Sequence, residues 1–151
     1  MSRGPLNYTT TIDATKSASE CIARLAEHGA DAIGITYASK KPGGLTFRIQ
    51  TVHGPRQFSL PVNTEGTYQA LQRARREGRI PPRYAGRDQA ERVSWRVLKD
   101  WLEAQLALIE AGIAEMAEVM LPYLHVGDNG LTLYRAFVEN ERLALTAGGA
   151  P

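Results

Sequence analysis

From Ile33 to Val62 apolar residues recur at every second position, and from Thr64 onward at every third or fourth. That change of period divides the chain into a strand-forming part and a helix-forming part. Side chains alternate across a strand, whereas on a helix they return to one face only after three or four residues. Ile33, Ile35 and Tyr37 make the first alternating run. In the second, Leu45, Phe47, Ile49 and Thr51 share a face, with Thr46, Arg48 and Gln50 opposite. Phe58, Leu60 and Val62 make the third, with Gln57 and Ser59 opposite. Lys40-Lys41-Pro42-Gly43-Gly44 and His53-Gly54-Pro55 read as the turns between them, which predicts antiparallel hairpins. One apolar and one polar face suit a sheet covered on one side only.

Tyr8 to Ile12 also alternates and is rich in threonine, which predicts a short additional strand. Ser17-x-x-Glu20 reads as a capping box that opens a helix over 17–28. Ala18, Cys21, Ile22 and Leu25 fall on one face of that helix, and Gly29 stands where a left-handed cap would end it. A second helix is predicted from Thr64 to about Gly78, with Tyr68 and Leu71 inward, and Ile80-Pro81-Pro82 breaks it. A longer one runs from Asp88 to about Ala111, with Val93, Val97, Leu98, Trp101, Leu102, Leu106 and Ile109 as its apolar stripe. Met116 to Leu124 predicts a further short helix, and Leu131 to about Leu145 a last helical or mixed segment. The expected order is β-α-β-β-β-α-α-α: an α+β fold in which an antiparallel sheet of four strands is packed on one face by helices. The 151 residues suit a single domain. It comprises a sheet-rich basic part over about 7–62, a helical part over about 64–145 and a flexible tail at 146–151.

Several functions find no support in the residues. Cys21 is the lone cysteine, which excludes an intrachain disulfide and suits a reducing cytoplasm. The opening residues lack the basic-then-apolar pattern of a secretory signal, and no apolar run approaches the ~18 residues of a membrane span. A cytoplasmic protein without a membrane partner is expected. His28, His53 and His125 stand far apart with no second ligand at metal spacing, so no metal is expected. Asp100 with Glu103, and Glu115 with Glu118, read as solvated helical neighbours rather than acid–base pairs. No phosphate-loop, dinucleotide or nucleophile motif occurs, so neither a cofactor nor a catalytic residue is expected.

The charge pattern is more informative. The net charge of +2 hides a split: residues 1–92 carry 14 Lys/Arg against 8 Asp/Glu, and residues 93–151 carry 4 against 8. The basic surplus concentrates in Arg73, Arg75, Arg76, Arg79, Arg83 and Arg87, around a Pro-Pro turn and with Glu77 alone in opposition. Arginine forks match phosphate geometry, so the stretch reads as a nucleic-acid-binding arm. The competing reading is a solvated helix end, where the helix dipole favours cations without any ligand. Lys40, Lys41, Arg48 and Arg56 form a second basic set, with the lysines at a hairpin tip and Arg48 on the polar sheet face. They could track a single-stranded backbone, or the lysines could simply protect a sheet edge. Trp95, Met116, Met120 and Tyr123 are candidates either for core packing or for an interaction patch. The partners these residues suggest are nucleic acid, single-stranded DNA above all, with a second copy of the chain or a host protein as alternatives. In the host-protein case the chain is an interaction module without catalysis.

The segment Ala90-Glu-Arg-Val-Ser-Trp-Arg-Val-Leu-Lys-Asp-Trp-Leu-Glu-Ala-Gln-Leu-Ala-Leu-Ile-Glu-Ala-Gly112, the following Val119-Met-Leu-Pro-Tyr-Leu124 and the opening Tyr8-Thr-Thr-Thr-Ile12 resemble small uncharacterised proteins of phages and prophages, over roughly residues 7–138. The element order is also similar to the core of Rad52-type single-strand annealing proteins. That similarity implies ring assembly and DNA held against basic residues near the strands, in replication or recombination.

Overall fold

The computed structural model describes residues 3–38, 40–127 and 131–148, and the side chains at 38, 41, 42 and 143–148 lie outside that description. The fold is α+β. Helix α1 (Ala14–Glu27) precedes strands β1 (Ala32–Ala38), β2 (Lys41–Thr51) and β3 (Gly54–Pro61). Helix α2 (Thr64–Arg76), a 3-10 turn (Pro82–Tyr84) and helix α3 (Arg87–Glu110) follow. Helix α4 (Met116–Met120) continues into a 3-10 turn (Leu121–Tyr123), strands β4 (His125–Val126) and β5 (Leu131–Thr132), and helix α5 (Leu133–Gly148).

The sheet is the antiparallel meander β1-β2-β3, with Phe47 directly opposite Phe58 and Leu45 opposite Leu60. These residues and Ile49 are buried, while Arg48, Gln50 and Gln57 on the other face are exposed. Phe47 and Phe58 stack at 5.3 Å between ring centroids. The apolar face packs on Ala14, Ala18, Cys21 and Leu25 of α1, on Trp95, Leu102 and Leu106 of α3, and on Met120. A separate cluster, Leu71, Ala74, Ile80, Ala85, Ala90 and Val93, joins α2 to the first half of α3. Helix α3 therefore serves two cores. Val93 faces α2, and Trp95, 200° further around the helix at 3.6 residues per turn, faces the sheet side. At 24 residues, or ~36 Å, it is long enough to span both.

Three helices end in the same way. His28, Glu77 and Ala111 cap α1, α2 and α3, and Gly29, Gly78 and Gly112 follow with φ of 94°, 72° and 74°. The next residues, Ala30, Arg79 and Ile113, donate back to Leu25, Ala74 and Leu108. This is the Schellman arrangement that only glycine enters without strain.

Three expectations are corrected, and one helix runs further than expected. Tyr8–Ile12 is not a strand, and the main sheet has three strands. Asn7 is left-handed, Tyr8 N–H donates to Pro5 O, and the Tyr8 and Thr10 carbonyls accept from the Gln89 amide, so the segment's backbone groups are spent on a turn and on α3. Helix α1 starts a turn before the predicted capping box, at Asp13, and Ser17 is buried inside it. The turn at Lys40–Gly44 is tighter than predicted: β2 already pairs from Lys41, with a register shift after Thr36, and only Lys40 is left-handed. The backbone of α5 runs to Gly148, into the predicted flexible tail, whose residues 149–151 lie outside the described residues.

Two of the four residues expected to offer an interaction patch lie in the core. Trp95 and Met120 are fully buried, and Met116 and Tyr123 pack against the same core, with Tyr123 edge-on to Trp101 at 5.7 Å. Trp95 and Met120 therefore belong to the core, while Met116 and Tyr123 are half-buried at its edge.

Cys21 is also enclosed. Burial, and after it the neighbouring Glu20 carboxylate, pushes its thiol up to about 12. A thiolate reagent at mildly alkaline pH is expected to leave the folded protein untouched and to modify one thiol per chain once denaturant is added, because only the thiolate reacts. Rapid labelling of the native protein would show that α1 opens.

Candidate nucleic-acid interface

Helix α2, the Pro-Pro loop and the first half of α3 form a helical arm. Asn63 caps α2 by accepting from Gly66 N–H at 2.8 Å, and a side chain at Gly66 would collide with it. Ser94 Oγ and Thr67 Oγ1, 2.8 Å apart, fasten α3 to α2. The loop is held as firmly: Gln72 donates to Ala85 O at 2.7 Å, Arg79 donates to Arg3 O at 2.6 Å, and Tyr84 meets the edge of Tyr8. The arginines thus project from a fixed frame rather than from a loose turn.

They divide into two sets. Arg79 bonds to Glu77 at 2.9 Å and Arg87 to Glu65 at 2.6 Å, and Arg87 also stacks over Tyr68 at 4.1 Å. The Arg87 hydrogen bond, with a smaller contribution from Gln69, holds the Glu65 carboxyl below its ordinary value of 4.5. The pair's contribution to stability is therefore present above that value and is lost as pH falls through the depressed one. Arg73, Arg75, Arg76 and Arg83 are exposed and have no carboxylate partner among the described residues. Arg83 lies over the Tyr84 ring at 4.6 Å.

The second basic set is not brought together. Arg48 is bound bidentately by Asp31 at 2.9 and 3.1 Å, which raises the guanidinium and lowers the carboxyl. Seven positions along β2 separate it from Lys41, about 23 Å of strand. Lys40 is exposed at the hairpin tip, and the Lys41 side chain lies outside the described residues.

The acidic half of the sequence is largely spent on pairing within the fold. Along the α1–α3 seam Glu20 meets Arg96 at 2.9 Å, and Lys99 meets Glu103 at 2.9 Å. Glu110 meets His28 at 2.7 Å and Arg24 at 3.9 Å. Asp100 accepts from Asn7, and Glu115 with Glu118 forms a reciprocal cap on α4. The two acidic pairs noted in the sequence are therefore structural.

Sequence reading missed three features. Gln89 and Arg92 meet beside the arm, Gln89 buried and bonded on both sides of its amide. Ser59 Oγ and His125 Nε2 form a hydrogen bond that ties β4 to β3, where Leu124 also bridges to Phe58. A hollow of about 480 Å³ lies over the polar sheet face, with Thr46, Ser59, Tyr123, Tyr134 and Arg135 in its walls. None of these has a sequence motif, because each joins residues far apart in the chain.

The chain matches no protein-family model, no curated protein and no solved structure. No helix among the described residues is long and apolar enough to cross a membrane.

Proposed function

We propose that this is a nucleic-acid-binding protein of phage or mobile-element type, which grips the backbone of single-stranded DNA through its helical arm during replication or recombination. One observation carries the reading. The fold pairs Arg24, Arg96 and Lys99 with carboxylates along the α1–α3 seam, yet leaves Arg73, Arg75, Arg76 and Arg83 on a single rigid arm without one among the described residues. Arg3, Lys16, Lys40, Arg56, Arg92 and Arg135 also lack such a partner among the described residues, but they are spread over several elements. A helix dipole accounts for cations on the last turn of α2, worth about 0.3–1 kcal/mol each, but not for Arg83 beyond it. Free guanidinium groups on a fixed frame suit phosphates, whose bound counterions they displace.

Fluorescence anisotropy with a labelled single strand of about 40 nucleotides, and with the matching duplex, tests this directly. Binding is expected to weaken with salt at a log–log slope of roughly −0.7 for each phosphate contacted on the single strand. Absence of binding at low salt sinks the reading. The alternative is then a protein-interaction module directed at a second copy or a host protein. It draws on α5, where Tyr134 and Phe137 are 56% and 58% exposed.

A further inference from the structure

Beside the arm lies a recess of about 320 Å³, lined by Thr9, Thr10, Thr11, Arg83, Tyr84, Gln89 and Arg92. Its construction is specific. Gln89 is 6% exposed, and its Nε2 donates to Tyr8 O at 2.8 Å and to Thr10 O at 2.9 Å, so one amide folds the threonine segment over the start of α3. The Gln89 Oε1 accepts from both Nε and Nη2 of Arg92, at 2.9 and 2.8 Å, which fixes that guanidinium and leaves its other N–H groups free to donate. Arg83 is held over the Tyr84 ring, 4.6 Å from its centroid. Thr10 Oγ1 accepts from Ile12 N–H at 3.2 Å, so its own proton is free to be given to a ligand. Among the described residues no carboxylate lines the recess.

Two oriented guanidinium groups and three hydroxyls around one hollow suit a compact dianion with several acceptor oxygens. We propose that the recess receives the monoester phosphate at the end of a nucleic-acid strand whose backbone lies along the arm; this rests on the function proposed above. An internal phosphodiester carries one charge and two free oxygens. A terminal monoester carries about −1.5 to −2 at neutral pH and three acceptor oxygens, and so gains more from this donor set. The volume is at the small end of ligand sites, about 300–1,000 Å³, enough for a phosphate and its sugar.

The test compares otherwise identical single strands ending in phosphate or hydroxyl, at the 5′ and at the 3′ end. One phosphorylated end is expected to bind about tenfold tighter than its hydroxyl counterpart. Arg92→Ala is expected to bring that ratio close to one, whereas Arg75→Ala lowers both affinities and keeps the ratio. Thr11→Val, an exposed change, is expected to reduce the ratio in part and serves if Arg92→Ala fails to fold. Equal binding of both ends by the wild-type protein overturns the recess proposal while leaving the arm intact. No binding of any strand overturns the underlying function. Loss of the end preference in sub-millimolar inorganic phosphate would assign the recess to the free anion. Tighter binding of a phosphoserine peptide would assign it to a protein partner. Either result overturns the strand-end proposal.

Discussion

Replacing Arg73, Arg75 and Arg76 together by alanine is expected to lower the salt slope of single-strand binding by about 2, with a matching loss of affinity at low salt. Three phosphate contacts at roughly −0.7 each make that difference. The variant should fold, because all three side chains are exposed and make no ion pair among the described residues. Its cost to α2 is confined to the dipole term, about 0.3–1 kcal/mol per cation. Arg48→Ala is the control. Its guanidinium is already committed to Asp31, so removing it should leave the slope unchanged. An unchanged slope in the triple variant, with Arg48→Ala weakening binding instead, would move the contact surface from the arm to the sheet.

The sheet was legible because its signal is local. Alternation in 33–62 and the Gly/Pro turns between the runs specify three strands and their buried face, and Leu45, Phe47, Ile49, Phe58 and Leu60 are buried accordingly. Tyr8–Ile12 has the same alternation and is no strand. Its fate is decided by a residue 81 positions away, Gln89, which takes the carbonyl of Tyr8. Local propensity cannot register a competitor of that kind.

Trp95 shows a related limit. A single apolar stripe on the long helix places it at the border, because a stripe presumes one buried side. Helix α3 is buried on two sides, by α2 over its first half and by α1 and the sheet beyond. The candidate site followed the same pattern. The arginines were visible as a run, but which of them are free depends on Glu65 and Glu77 and on the loop's anchoring by Gln72 and Tyr84. The recess was invisible, since its donors come from residues 9–11 and 83–92 and meet only through the Gln89 amide.

Trp95→Ala is expected to cost about 3–5 kcal/mol, as large aromatic truncations in closed cores do. That is a large share of the 5–15 kcal/mol by which domains are ordinarily stable, and corresponds to a fall in Tm of about 10 °C or more. The ring has no exposed surface and sits among Phe47, Leu102 and Met120 in the main core. Trp101 is half-buried, so Trp101→Ala should cost less. The informative part is the shape of the transition. The second core holds the arm and contains no strand, yet it shares α3 with the first. If α3 couples them, far-ultraviolet dichroism and the fluorescence of Trp101 will report one shifted transition, and strand binding will vanish at the same temperature. If the cavity left by Trp95 loosens only the sheet side, the two probes will separate and the arm will bind DNA above the first transition. The continuous α3, with Val93 and Trp95 buried in different cores two residues apart, argues for a single transition.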